Sequence, residues 1–211
     1  MAFTKEGFLG NFKGQLGNTV VYEMYGKTVI RSKPAYKRRP AKGALKQAQT
    51  DFSRVMKIMQ AARSVIRLGF RDVAEGRSAF HTAMSANLVN YRNAENPEDL
   101  HWLVVSQGER AGALEVTMEV RGDKATITWG DPEPGKPYKM NDQVLLMTIN
   151  DKTLHTTDKV QAAKRSEKIA EIVLPAVKEG ENILVFIAFY NPFEALARKS
   201  PSNFSKSQVV G

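Results

Sequence analysis

Ile183-Leu184-Val185-Phe186-Ile187-Ala188-Phe189-Tyr190 is the longest apolar run of the chain. It falls far short of the roughly 18 apolar residues that a membrane span needs, and its β-branched and aromatic content makes it a strand. From Leu100 onward the surrounding sequence reads the same way. Candidate strands are Trp102–Ser106, Ala113–Arg121, Lys124–Trp129, Gln143–Asn150, Lys168–Leu174, Asn182–Phe189 and Gln208–Val210. Turn signals separate them: Arg121-Gly122-Asp123-Lys124, the proline-rich loop Asp131–Pro137, Asn150-Asp151-Lys152 and Lys178–Asn182. About seven short strands over about 110 residues predict an immunoglobulin-like antiparallel β-sandwich, with Trp102 and Trp129 in its core.

The first 92 residues have a different pattern. Thr19–Met24 (TVVYEM) and Lys27–Arg31 (KTVIR) flank Tyr25-Gly26, which predicts a tight β-hairpin with Gly26 at positive φ. Pro34 ends the second strand because it cannot donate to a ladder. Ser32–Lys46 (SKPAYKRRPAKGALK) is an extended basic linker, since Pro34 and Pro40 oppose a helix before Gly43. From Ala44 to Leu68, Leu45, Ala48, Phe52, Val55, Met56, Met59, Ala62 and Ile66 recur at spacings of three and four, the stripe of an amphipathic helix that Gly69 stops. A second helix is predicted over Ser78–Asn90, with Ser78 as its cap and Phe80, Met84 and Leu88 on one stripe. The polar stretch Asn93–Asp99 (NAENPED) marks a joint. The expected fold class is therefore α+β: a β-hairpin, basic linker and helical hairpin in residues 1–97, then the sandwich in residues 98–211. The sandwich is of a size that should fold alone.

Composition narrows the function. Of 211 residues, 31 are Lys or Arg and 22 are Asp or Glu, a net charge of +9. Residues 1–92 hold 17 of the basic residues and 5 of the acidic ones, so the basic character belongs to the N-terminal part. A hydrophobic content of 42% excludes collagenous and wholly disordered chains. Cysteine is absent, which excludes disulfides, thiolate zinc sites, iron–sulfur clusters and cysteine nucleophiles. The opening segment lacks the apolar core of an export signal, so the expected location is the cytoplasm, or a virion for a phage-derived protein.

The candidate contact residues are basic. Lys33, Lys37, Arg38, Arg39, Lys42 and Lys46 fill the linker, and Arg63, Arg67 and Arg71 continue the charge as an i, i+4, i+8 ridge on the first helix. Such a set suits nucleic-acid phosphates or an acidic protein surface. No zinc finger, helix-turn-helix or aromatic platform accompanies it. Catalytic motifs are missing. His81, His101 and His155 fall in three predicted elements without metal-ligand spacing, and there is no nucleophile elbow and no phosphate loop. Glu95/Glu98/Asp99 and Asp131/Glu133 are carboxylate groups in polar loops, where solvated acids are the ordinary outcome. No cofactor or metal is expected. The exposed edge of the N-terminal hairpin is suited to adding strands to another subunit's sheet. The expected role is a non-enzymatic structural or protein-interaction module in a larger, phage-like assembly, with a protein partner or self-association. The alternative is nucleic-acid binding through the basic N-terminal region.

The string Gly14-Gln15-Leu16-Gly17-Asn18-Thr19-Val20-Val21-Tyr22, followed by Gly26-Lys27-Thr28-Val29-Ile30-Arg31-Ser32-Lys33-Pro34, resembles the opening of a family of uncharacterised proteins from Bacteroidetes. Asp142-Gln143-Val144, Ala162-Ala163-Lys164-Arg165-Ser166 and Val185–Phe189 add similar features in the C-terminal half. The resemblance implies an organism group and an order of parts: hairpin, basic linker, helices, β-rich half. It implies no activity.

Overall fold

The computed structural model describes residues 2–3, 13–33, 40–178, 180–192 and 204–210. It forms two compact units, Met1–Lys46 and Gln47–Gly211.

The first unit holds β1 (Ala2–Phe3), β2 (Lys13–Leu16), β3 (Thr19–Met24) and β4 (Lys27–Ser32), an antiparallel sheet in that order. Met24 pairs with Lys27, which leaves Tyr25 and Gly26 as a two-residue turn with φ of 52° and 73°. Left-handed backbone at both central positions matches the right-handed twist of the flanking strands, and glycine takes it without steric cost. The expected hairpin is thus present. The structure adds β2, joined through the two-residue loop Gly17-Asn18 by the pair Leu16–Thr19.

The second unit begins with α1 (Ala44–Ala61, which starts just ahead of the unit boundary), α2 (Arg63–Gly69) and α3 (Ala79–Asn93). The single helix expected over Ala44–Leu68 is interrupted at Ala62, with φ −92° and ψ 18°, although Ile66 N–H still reaches the Ala62 carbonyl at 3.0 Å. Ser78 caps α3 as expected, its Oγ accepting from His81 N–H at 3.2 Å. The strands are β5 (Thr117–Arg121), β6 (Lys124–Thr128), β7 (Gln143–Asn150), β8 (Thr156–Lys159), β9 (Ile169–Val173), β10 (Ile183–Tyr190) and β11 (Gln208–Val210). They form two antiparallel sheets, β11-β10-β7-β8 and β5-β6-β9.

Side chains alternate across a strand, so the apolar run of β10 serves two cores. Leu184, Phe186, Ala188 and Tyr190, with Leu145, Met147 and Ile149 of β7, pack against Val55, Met59, Ile66, Phe70 and Met84 of the helical region. Val185, Ile187 and Phe189, with Val144 and Leu146, pack against Ala125, Ile127, Ala170 and Ile172 of the other sheet. The unit therefore has three layers: helices, a central sheet buried on both faces, and an outer sheet that completes the sandwich. Each large apolar side chain buried this way stabilises by about 1.5–3 kcal/mol. The division expected at 97/98 falls inside this unit, because the helical stripes close one core of the sandwich sheet.

Two expectations are corrected. Trp102–Ser106 is not a strand: Leu100–Trp102 is a 3-10 turn, and the residues after it are buried without a ladder. Trp102 accordingly lies in the helical core, edge-on to Tyr91 at 5.2 Å, whereas Trp129 lies in the sandwich core. Gly69 closes α2 for a packing reason. A Cβ there would sit 2.6 Å from Cβ of Ser106.

Candidate interaction site

The N-terminal sheet is a single layer. Register places Val20, Tyr22, Val29 and Arg31 on one face and Leu16, Thr19, Val21 and Ile30 on the other. None of residues 13–33 is fully buried, and Leu16 and Ile30 are 66% and 67% exposed. Met24 and Tyr25 at the turn are half exposed. Arg31 lies over the Tyr22 ring, 5.9 Å from its centroid. Lys13 pairs with Glu23 at 2.6 Å, and that hydrogen bond holds the Glu23 carboxyl below its ordinary pKa. Beyond β4 no strand continues the sheet among the described residues. A sheet with apolar residues on both faces and an open edge is marginal alone in water and complete only against another surface.

Charge concentrates in the same unit. Residues 1–46 hold 10 Lys or Arg against 2 Asp or Glu, and so carry +8 of the +9. Lys33 is exposed just after β4, where its N–H donates to the Asn18 carbonyl at 2.6 Å. Lys42 and Lys46 are exposed before and within the first turn of α1. Lys37, Arg38 and Arg39 lie outside the described residues.

The remaining basic candidates belong to the second unit, where the predicted ridge is split. Arg71 pairs with Asp72 at 3.3 Å. Arg63 and Arg67 are exposed and line a groove of about 540 Å³ together with Met56, Gln60, Ser78, Phe80 and His81.

Sequence reasoning missed a buried charge cluster. Asp142 is fully buried; its Oδ1 accepts from Arg110 at 2.8 Å and from Asn191 at 3.3 Å, and its Oδ2 accepts from Lys139 N–H at 2.9 Å. Arg165 Nε lies 3.5 Å from the same carboxylate. The Arg165 fork donates to the Ala111 and Gly112 carbonyls at 2.6 and 2.9 Å, and its guanidinium stacks 3.8 Å over the Phe189 ring. Burial, ahead of the opposing attraction of Asp142, pushes the Arg165 pKa below its ordinary value. Trp129 Nε1 in turn donates to the Arg165 carbonyl at 3.0 Å. The cluster fastens three loops to the sandwich. Asp142 and Arg165 both fall in segments that carried the family resemblance, and that was the one signal for them in the sequence.

The histidines stay apart. His81 Nδ1 bonds to Ser78 Oγ at 2.9 Å, and His101 bonds to the Asp99 carboxylate, which lowers the Asp99 pKa. Among the described residues no group of His, Cys, Asp and Glu could hold a metal ion. Four of the five loop carboxylates have a basic partner: Glu98 with Arg54, Asp99 with His101, Asp131 with Lys168 and Glu133 with Lys136. No helix among the described residues is long and apolar enough to cross a membrane.

The architecture is that of a two-unit α+β protein, a basic single-layer sheet followed by a three-layer helix–sheet–sheet body. The chain belongs to a family of unknown function, DUF6266, whose model matches residues 11–195. The match runs from just before β2 to just past β10 and bears out the likeness to an uncharacterised family. No curated protein matches the chain.

Proposed function

We propose that the protein is a non-enzymatic structural or protein-interaction module whose N-terminal sheet docks onto a protein partner within a larger, phage-like assembly. The observation that supports this reading is the exposure of Leu16 and Ile30 on a sheet in which none of residues 13–33 is fully buried. A single sheet of this kind gains stability from any surface that covers its apolar residues and pairs its open edge. The test is native mass and size measurement of wild type and of Leu16→Lys/Ile30→Lys, with and without nuclease. A nuclease-resistant oligomer or complex that the double variant loses supports the reading. A wild type that stays monomeric and partner-free in the cell of origin, or a variant that assembles unchanged, sinks it. In the same reading the protein acts in the cytoplasm, or in a virion, of a Bacteroidetes organism or its phage, and the sandwich is immunoglobulin-like.

A second reading is favoured by the charge of residues 1–46. Nucleic acid bound through Lys33, Lys37, Arg38, Arg39, Lys42 and Lys46 would show an affinity that falls steeply with salt. Absence of DNA and RNA binding at low salt removes it.

A further inference from the structure

We propose that the groove between the end of α1, α2 and the start of α3 binds a nucleotide unit, with a phosphate held between Arg63 and Arg67. This goes beyond docking through the N-terminal sheet and uses none of the linker residues. Neither Arg63 nor Arg67 makes an ion pair or a hydrogen bond among the described residues, unlike Arg71 beside them or Arg54 on α1. Four residues apart on one helix, their Cβ atoms stand about 5–6 Å from each other, so both guanidinium forks reach one phosphate or two adjacent ones. A lone carboxylate would be satisfied by one fork.

The other residues of the groove suit the rest of a nucleotide. Met56 and Phe80 give it an apolar wall with an aromatic ring, on which a base can stack at about 1–3 kcal/mol per base. Gln60 supplies an amide for a base edge or sugar. The His81 Nδ1 contact with Ser78 leaves Nε2 for a ligand. The volume of about 540 Å³ is adequate for one nucleotide.

The experiment uses the full chain and a fluorescein-labelled oligothymidylate read by anisotropy at fixed low salt. Unlabelled oligothymidylate, adenosine monophosphate and polyglutamate serve as competitors. Arg63→Gln/Arg67→Gln should weaken binding about tenfold or more. Lys57→Gln/Lys178→Gln removes the same charge from exposed positions outside the groove and should change binding by less than about threefold. Displacement by the mononucleotide assigns the groove to free nucleotides, and displacement by the oligomer alone assigns it to a strand; both support the proposal. Equal weakening in the two double variants, no binding by wild type, or polyglutamate competing as well as the oligomer overturns it. Loss of binding in Lys37→Gln/Arg38→Gln/Arg39→Gln with none in the groove variant overturns it too, while leaving the linker reading standing.

Discussion

The side-chain amide of Asn87 pairs with both polar groups of the Val104 backbone, accepting from its N–H at 2.7 Å and donating to its carbonyl at 2.9 Å. Asn87 is fully buried on α3 and also donates to the Ala83 carbonyl at 3.0 Å. Its neighbours extend the arrangement: Asn90 donates to the Trp102 carbonyl at 3.3 Å, and Ser207 Oγ accepts from Val105 N–H at 3.0 Å. A segment with the composition of a strand is thus held by side chains standing in for a neighbouring strand.

Asn87→Ala should therefore strand the N–H and carbonyl of Val104 in the core, each orphan costing about 1–3 kcal/mol. A total loss of about 2–4 kcal/mol is expected in urea denaturation. Asn93→Ala, exposed at the end of the same helix, should stay within about 0.5 kcal/mol of wild type. Equal stability of the two variants would mean that the amide pairing contributes nothing.

Gly69→Ala forces a methyl group to within 2.6 Å of Ser106 Cβ and against the Val105 carbonyl. The helix end and the 105–106 segment must move apart, which also strains the bond from Gln107 N–H to the Gly69 carbonyl. A loss of about 1–3 kcal/mol is expected despite the higher helix propensity of alanine, measured as a drop in melting temperature.

Asp142→Ala removes the carboxylate that Arg110 and Arg165 share in the interior. Breaking a buried ion pair from one side costs about 3–5 kcal/mol, because it leaves a desolvated guanidinium behind. Thermal unfolding of this variant should begin well below that of wild type, and a melting temperature unchanged by the substitution would refute the clamp.

The fragment 47–211 should melt cooperatively, because it contains all three layers. Residues 98–211 alone should not, since Leu145, Met147, Ile149, Leu184 and Phe186 would face water in place of the helices. Circular dichroism and dye binding on both fragments check this. A native-like melt from the shorter one would support a domain boundary near residue 97.

Glu181 gives a pH dependence of known sign. Its carboxylate accepts first from Lys178 N–H at 3.0 Å and then from the Asn150 amide at 2.9 Å, which lowers its pKa from the ordinary 4.5. A carboxyl whose folded pKa lies below its unfolded one stabilises above the unfolded value and loses that contribution as pH falls through the folded value. Melting temperature should thus decline below about pH 4.5 in wild type, and Glu181→Gln should flatten that decline.

Features set by nearby residues were legible in the sequence. Tyr25-Gly26 announced a primed turn, Ser78 a helix cap, and Gly122-Asp123 the loop between β5 and β6. Gly17-Asn18 carried the same kind of signal for β2, although the glycine-rich context masked it. Long-range features left no such trace. Thr156–Lys159 pairs with β7 at a sheet edge, where polar residues are tolerated, so no alternation marked it. Val104 and Val105 have strand composition, but the side chains of Asn87 and Ser207, more than ten positions away, bond to their backbone. The site was half legible. Charge alone revealed the basic residues, but which arginines remain unpaired depends on neighbours such as Asp72, Phe80 and His81 that only the fold assembles.

The double burial of β10 bears on how the chain is made. Polypeptides leave the ribosome N-terminus first, and an uncharged apolar strand such as Ile183–Tyr190 is the kind of segment that pairs with its own copies when left uncovered. Here, among the described residues, the helices and all but one of the strands that shield it precede it in translation order. The longest apolar run of the protein is therefore made after the helices and the other long strand described, β7, into a slot that its own chain has already prepared.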